Sequence, residues 1–276
     1  MTCLNNIPLY LSKIINYNKL FLCFANFALC TSIAVAGTIG NSPPSRGYQH
    51  IISLFGGYAS IVHTGLSQSY LGTDDDVFVY NSNRSTKNTG LIGLFLGEEF
   101  NPLRTNPSML FQTGIEYTYF GKNKLSGSNT VGIDPETSTL YHYDYTLQSQ
   151  QFLAVAKILA TTHQIYHPYL SAGIGASFNY SNQFSLKTQE VGSINLAPSF
   201  DNHMQTSFSY SLGLGLDVNV SERLRIGAGY RFSGLGKSSL GNGNIEFNNY
   251  NYPTGFELHT ANVYANQLVF QASYLA

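Results

Sequence analysis

The chain of 276 residues has no tryptophan, and only 11% of it is charged, less than half the roughly 25% of an ordinary soluble domain. With 14% aromatic residues, that scarcity excludes a disordered polyelectrolyte. The three cysteines, Cys3, Cys23 and Cys30, all fall in the first 36 residues. The remainder therefore cannot build a disulfide framework or a thiolate metal site. No basic stripe exists to hold a nucleic acid. Past residue 36 no apolar run reaches 18 residues, so a helical membrane span is excluded there.

The N-terminal segment is of another kind. Lys13 and Lys19 are its only charges, and an apolar stretch runs from Leu20 to Ala36. It closes in Ala34-Val35-Ala36 before Gly37, with small residues at Ala34 and Ala36 as signal peptidase requires. A stretch of about 17 residues with no basic stop-transfer flank is short for a transmembrane anchor. Residues 1–36 read as a cleaved signal peptide and 37–47, with Pro43-Pro44, as a periplasmic lead-in. Removing Lys13 and Lys19 leaves 12 basic against 15 acidic residues, a net charge of about −3.

The body of the chain alternates with period two, the mark of strands whose faces meet different surroundings. From Phe208 to Val220 the even positions carry Phe, Tyr, Leu and Val while the odd ones carry Ser, Gly, Asp and Asn. The stretches Leu224–Phe232 and Leu170–Tyr180 repeat the pattern. Such runs are about 9–14 residues long, the length a tilted transmembrane strand needs and roughly twice that of a soluble one. Strands are expected at 50–61, 89–100, 109–120, 143–159, 168–180, 206–220, 224–233 and 261–274. The segments 101–108, 162–167 and 221–223 between them are short; 62–88, 121–142, 181–205 and 234–260 are long and rich in Asn, Ser, Gly and Thr. Short periplasmic turns alternating with long extracellular loops predict an all-β, eight-stranded antiparallel up-and-down transmembrane barrel over 48–276. In the fourth strand Tyr145 and Leu147 are out of phase with Phe152, Ala154 and Ala156, and a bulge near Ser149–Gln151 would reconcile them. Asn266 falls on the lipid side of the last strand.

Aromatic residues gather at the strand ends facing the long loops: Tyr58, Tyr117, Tyr119, Tyr143, Tyr145, Phe178, Tyr180, Phe208, Tyr210, Tyr230, Phe232 and Tyr264. Amphipathic rings at headgroup level would form an outer girdle. The opposite phase sends Glu99, Glu116, Lys157, Asp217, Arg225 and Arg231 into the lumen, where unpaired charges would be costly. Glu99, Asp217 and Arg225 belong near the periplasmic end and Glu116 with Arg231 nearer the outer end. Lumen-facing Gly173, Gly175, Gly213, Gly215, Gly227 and Gly229 form a small-residue patch leaving room for the arginines.

The leader, the eight alternating strands, the one-sided long loops and the strand-terminal tyrosines resemble the small outer-membrane barrels of the opacity-protein and OmpA/OmpX type. The resemblance implies a Gram-negative outer-membrane location, contact with lipid and lipopolysaccharide, and delivery by the outer-membrane assembly machinery. Members commonly end in a terminal aromatic; here the alternation of Leu268, Phe270, Ala272 and Tyr274 runs into Leu275-Ala276. A monomer without cofactor is expected, its barrel a scaffold and its loops an adhesive or recognition surface for a host or neighbouring cell. Tyr70, Phe78, Tyr80, Phe184, Phe200, Phe247, Tyr250, Tyr252 and Phe256 are the loop aromatics open to that use; loop packing and strand extension above the membrane is the plainer alternative. A narrow porin-like channel for small solutes or ions is the competing reading.

Catalysis finds little support. A lipid A-modifying barrel needs a Ser and a His in reach on the membrane face. His50, His63, His142, His163, His167, His203 and His259 all sit at strand ends, turns or loops, so no enzyme is expected. His163 and His167 have a metal-like spacing without supporting ligands, and Asp74-Asp75-Asp76 reads as a solvated loop tip; no metal site is expected.

Overall fold

The computed structural model describes residues 48–71, 77–101, 109–132, 138–162, 165–190, 198–247 and 250–276. The leader with Ala34 and Ala36, the lead-in, Asp74-Asp75-Asp76 and His163 lie outside them. Fourteen strands occur among the described residues. Eight are long: β1 (Tyr48–His63), β4 (Ser85–Phe100), β5 (Met109–Phe120), β7 (Thr139–Ala160), β8 (Tyr166–Glu190), β10 (His203–Asn219), β11 (Leu224–Gly236) and β14 (Val263–Leu275). Six shorter ones lie between them: β2 (Leu66–Leu71), β3 (Val77–Ser82), β6 (Asn123–Val131), β9 (Pro198–Phe200), β12 (Ser239–Phe247) and β13 (Tyr250–His259).

The long strands pair antiparallel in the order β7-β5-β4-β1-β14-β11-β10-β8, and β8 pairs back onto β7. That last pairing closes a ring of eight and satisfies every ladder without leaving an edge. The ring is inside out relative to a soluble barrel. Ile52, Leu54, Ile92, Ile115, Leu170, Ile174, Leu212, Leu214, Leu268 and Phe270 stand exposed on the outer wall. Ser53, Gln112, Glu116, Gln151, Ser209 and Gln267 are buried within. Alternation is therefore real, with its apolar phase outward.

Two rims of aromatic residues bound the apolar belt. Tyr48, Tyr166 and Tyr274 are exposed at one end, where Tyr48, Phe100 and Phe111 form a row with ring centroids 5.9 and 6.1 Å apart. Tyr58 on β1 and Tyr264 on β14 mark the other. Tyr264 and Tyr274 are ten residues apart; at about 3.3 Å per residue and a tilt of about 40° this spans ~25 Å, the height of a barrel's hydrocarbon-facing band.

The long connections are built largely of strands, in line with the plainer reading of loop packing and strand extension above the membrane. β2, β3 and β6 extend the barrel sheet beyond the outer rim in the order β2-β3-β6-β7, and β13-β12-β9 form a second, three-stranded sheet. These strands, with the distal parts of β7 and β8, make a cap. Composition hid it because its outer faces are as polar as loops. The free backbone of β13 meets side chains of β2: Gln68 Nε2 donates to the His259 carbonyl at 2.5 Å, the His259 N–H donates to Gln68 Oε1 at 3.2 Å, and the Tyr70 hydroxyl donates to the Glu257 carbonyl at 2.6 Å. Side chains thereby blunt an edge strand.

No bulge occurs at Ser149–Gln151. The odd residues of β7 point inward without a break from Tyr141 to Leu159. The ladder to β8 shifts register twice, between Leu140 and Tyr141 and again where Asp144 pairs with Ser185 and Thr146 with Asn182. Gln183 there has φ 58°, the only positive value at a non-glycine among the described residues, and an extra residue in one strand demands such a local twist. A further bulge falls between Gly234 and Gly236. It turns Leu235 fully inward, and Gly236 at φ 70° supplies the left-handed backbone.

The lipid-facing belt makes a direct prediction. Phe270→Arg, near the midpoint of β14, should destabilise the bilayer-reconstituted barrel by about 2–4 kcal/mol, read as a lowered urea midpoint in lipid vesicles.

Candidate functional site

The lumen is packed with ion pairs and amides. Near the periplasmic end Arg225 grips Glu99 through two bonds, Nη1 to Oε2 at 2.5 Å and Nη2 to Oε1 at 3.2 Å. Gln112 also donates to Glu99 Oε2 at 2.6 Å, and Arg225 Nε donates to Asn219 at 2.9 Å. The next pair is Lys157 with Asp217, Nζ to Oδ2 at 2.6 Å, and Gln271 donates to the other Asp217 oxygen at 2.7 Å. Lys157 also lies 3.6 Å from the centre of the Tyr169 ring, a cation–π contact out of water. Nearer the outer end Arg231 pairs with Glu116 and donates from Nε to Gln267 at 2.9 Å. All six charged residues are thus in the lumen, brought together as three pairs across the bore. Three anions face three cations, so the lumen is neutral.

The lumen glycines serve another neighbour than expected. A Cβ at Gly215 or Gly229 would collide with the Tyr169 hydroxyl, and one at Gly227 with the Asp217 carboxylate. The small-residue patch makes room for a ring and a carboxylate rather than for arginines. Between the pairs a cavity of about 50 Å³ remains, bordered by Ser53, Gln112, Lys157, Tyr169, Ser171 and Gln271 among others. Above it Gln151 donates to Ser209 at 2.6 Å and Ser149 to Asn179 at 2.7 Å. Higher still the bore is apolar: Ala59, Ile61, Leu91, Phe120, Leu147, Leu235, Val263 and Ala265 are buried. Asn179 fastens that stopper by donating to the Leu235 and Lys237 carbonyls, both at 2.8 Å.

The stopper runs on into the cap. Phe78, Tyr80 and Phe200 are buried there, and Tyr80 sits 5.9 Å from Tyr143, 5.5 Å from Phe200 and 6.1 Å from Tyr70. Tyr70 stacks on Phe256 at 3.9 Å, and Phe184 packs edge-on against Phe200 at 5.0 Å. Burial pushes the phenols of Tyr80, Tyr143 and Tyr145 up from their ordinary range. Most loop aromatics therefore form the cap's core, each worth about 1.5–3 kcal/mol if fully buried. Tyr252 is the exception, half exposed at a strand end; the side chains of Phe247 and Tyr250 lie outside the described residues.

Ten of the twelve girdle residues are on the outer wall, in two aromatic rows. Tyr117, Phe152 and Phe178 form one, with spacings of 4.7 and 5.9 Å. Phe208, Tyr210, Phe232 and Tyr264 form the other, 5.8 to 6.4 Å apart. Tyr58, Tyr119, Tyr180 and Tyr230 complete the ten. Tyr143 and Tyr145 are a correction: both lie in the inward phase of β7 and are buried in cap and stopper. Asn266 does face outward, where it accepts a bond of 2.6 Å from the Tyr230 hydroxyl. Sequence reasoning missed Phe152 in the girdle and Tyr169, Gln112, Gln267 and Gln271 in the lumen. Their strand phase was the available signal; for Leu235, placed by a bulge, there was none.

A closed ring with lipid-length strands, an exposed apolar belt and a sealed polar lumen admits one assignment. The chain folds as an eight-stranded transmembrane β-barrel. No family model matches the chain, and no curated protein matches it. Solved structures similar to it include Neisserial surface protein A, at 14% identity over 83% of this chain and 98% of that one, TM-score 0.39. The attachment invasion locus protein Ail of Yersinia pestis matches at 13% over 84% and 99%, TM-score 0.33. OprG from Pseudomonas aeruginosa matches at 12% over 84% and 98%, TM-score 0.35. Scores this low add no weight to the assignment, which rests on the ring and its belt.

Breaking one lumen pair should cost more than removing it. Glu99→Ala, which strands Arg225, is expected to destabilise by about 3–5 kcal/mol, and Glu99→Leu combined with Arg225→Met by much less. Urea titration of the reconstituted variants gives both numbers.

Proposed function

We propose that the protein is a non-catalytic outer-membrane scaffold that holds a rigid, strand-built platform at the cell surface for adhesion or recognition. The observation that carries this reading is the cap, an aromatic core continuous with the stopper of the barrel. A flexible loop set would serve a channel vestibule; a packed platform suits presentation. β7 and β8, at 22 and 25 residues, run far beyond the roughly 9–11 a bilayer needs. The platform carries exposed apolar points in Leu71, 71% exposed, and Tyr252, 51% exposed. Exposed apolar side chains on a rigid support are what a protein or glycan partner would engage. Against the competing channel reading stand the three lumen pairs and the apolar stopper above them. The remaining partners are the assembly machinery and the lipid itself, the protein acting as a monomer.

The lipid contact has a specific chemistry. Lys122 lies three residues past Tyr119, and Lys237 three residues past Gly234, the partner of Tyr264. Both are exposed, in position for the phosphates of an outer-leaflet glycolipid.

Two measurements test these readings. Cells displaying the protein should bind cultured epithelial cells or neighbouring bacteria, and the Leu71→Glu/Tyr252→Glu variant should lose most of that binding. Equal binding by variant, wild type and vector control overturns the platform, and a steady ohmic conductance in planar bilayers restores the channel. The Lys122→Glu/Lys237→Glu variant should lose most of the thermal stabilisation that added lipopolysaccharide gives the wild type; an unchanged gain removes the phosphate contact.

A further inference from the structure

His63 occupies the junction between barrel and cap. It is the last residue of β1, five beyond the girdle residue Tyr58, and pairs with Ser85 on one side and Val263 on the other. Its ring borders a narrow cavity shared with Ser82, Asn83, Leu125, Ser126, Tyr145 and Thr260. Those residues come from the β3–β4 corner, β6, β7 and the segment before β14, so four parts of the cap and rim converge on one imidazole. The residue is 5% exposed, and neither ring nitrogen has a hydrogen-bond partner among the described residues.

The junction holds no counter-charge. Its lining supplies hydroxyls, an amide and a phenol, and no carboxylate. The charged groups on the packing elements are cationic or already engaged: Arg84 and Lys87 flank the corner residues and are exposed, while Lys124 beside Leu125 pairs with Asp144. His259, next to Thr260, is exposed at the end of β13. An imidazolium at position 63 would thus be a buried cation facing other cations, a state that proteins avoid by opening to water.

We propose that His63 is an acid-sensitive latch: neutral, it lets the cap close on the barrel rim, and protonated, it releases the cap while the barrel stays folded. Release would bare the aromatic core around Phe78, Tyr80, Tyr143 and Phe200. The latch operates whatever the platform binds.

Burial holds the imidazole down at about 4 in the closed cap, against an ordinary 6.5. The open cap therefore binds the extra proton. The latch's contribution is complete above pH 6.5 and is lost as pH falls from 6.5 toward 4. By linkage the open population rises about 30-fold between pH 8 and pH 5. At pH 5 exposed carboxylates, with ordinary values of about 4, remain mostly ionised.

Hydrogen–deuterium exchange of the full chain in lipid nanodiscs, corrected for intrinsic rates, reads the opening directly. Protection of β2, β3, β6, β12 and β13 should fall about 30-fold from pH 8 to pH 5, while β4, β5, β11 and β14 keep theirs. His63→Leu should leave the cap protected at both pH values, and His63→Asn serves as a polar neutral replacement if leucine disturbs packing. Cap protection in the wild type that is unchanged at pH 5, or falls equally in the folded variants, overturns the latch. A parallel loss in the barrel strands overturns it too, since the release would then be global unfolding.

Discussion

The bore of an eight-stranded ring is the constraint on which the rest of the molecule depends. Eight strands leave an interior just wide enough to be filled by side chains. Every group directed inward must therefore fit its neighbours and cancel its charge locally. Glu99, Glu116 and Asp217 meet Arg225, Arg231 and Lys157 across the bore, and the amides of Gln112, Gln267 and Gln271 each add a bond to one of these charged groups. Glycine at 215 and 229 is part of the same accounting of space, because Tyr169 needs the volume that their side chains would take. A buried polar network paired in this way favours one arrangement of the wall over others.

The barrel could be read in the sequence because its two faces meet opposite surroundings. Lipid demands apolar side chains outside and the lumen tolerates polar ones inside, so alternation is legible along wall strands such as β8, β10, β11 and β14. The cap could not be read in the same way. Its strands have solvent on one face and an aromatic core on the other, and the core draws single residues from distant segments: Tyr70, Phe78, Tyr80, Phe200, Phe256. Each looks like an isolated aromatic in a polar loop. Tyr143 and Tyr145 show the difficulty most clearly. By residue type and by position at a strand end they match the girdle; only their phase on β7 disagreed, and a bulge was one way to remove the disagreement. The strand instead keeps one phase throughout, and that continuity carries both tyrosines inward.

Barrel and cap are held by different forces, and that difference gives their boundary its character. The barrel is fixed by lipid, by a closed ladder with no edge, and by charge pairs whose rupture is costly. The cap is a small soluble-type unit, with exposed polar faces, side-chain clamps at Gln68 and Tyr70, and a core of a few rings. Units of that size open locally at a fraction of the free energy of global unfolding. The joint between them is where a modest perturbation has the largest effect. His63, buried among hydroxyls without a counter-charge, adds at that joint a buried group whose ordinary titration range lies close to physiological pH. A carboxylate there would be repelled from the core at neutral pH, and a phenol would not respond until far into alkali. Imidazole alone combines burial in the closed state with protonation in mildly acidic surroundings, which is why the chemistry of the joint and not its shape decides whether the cap stays shut.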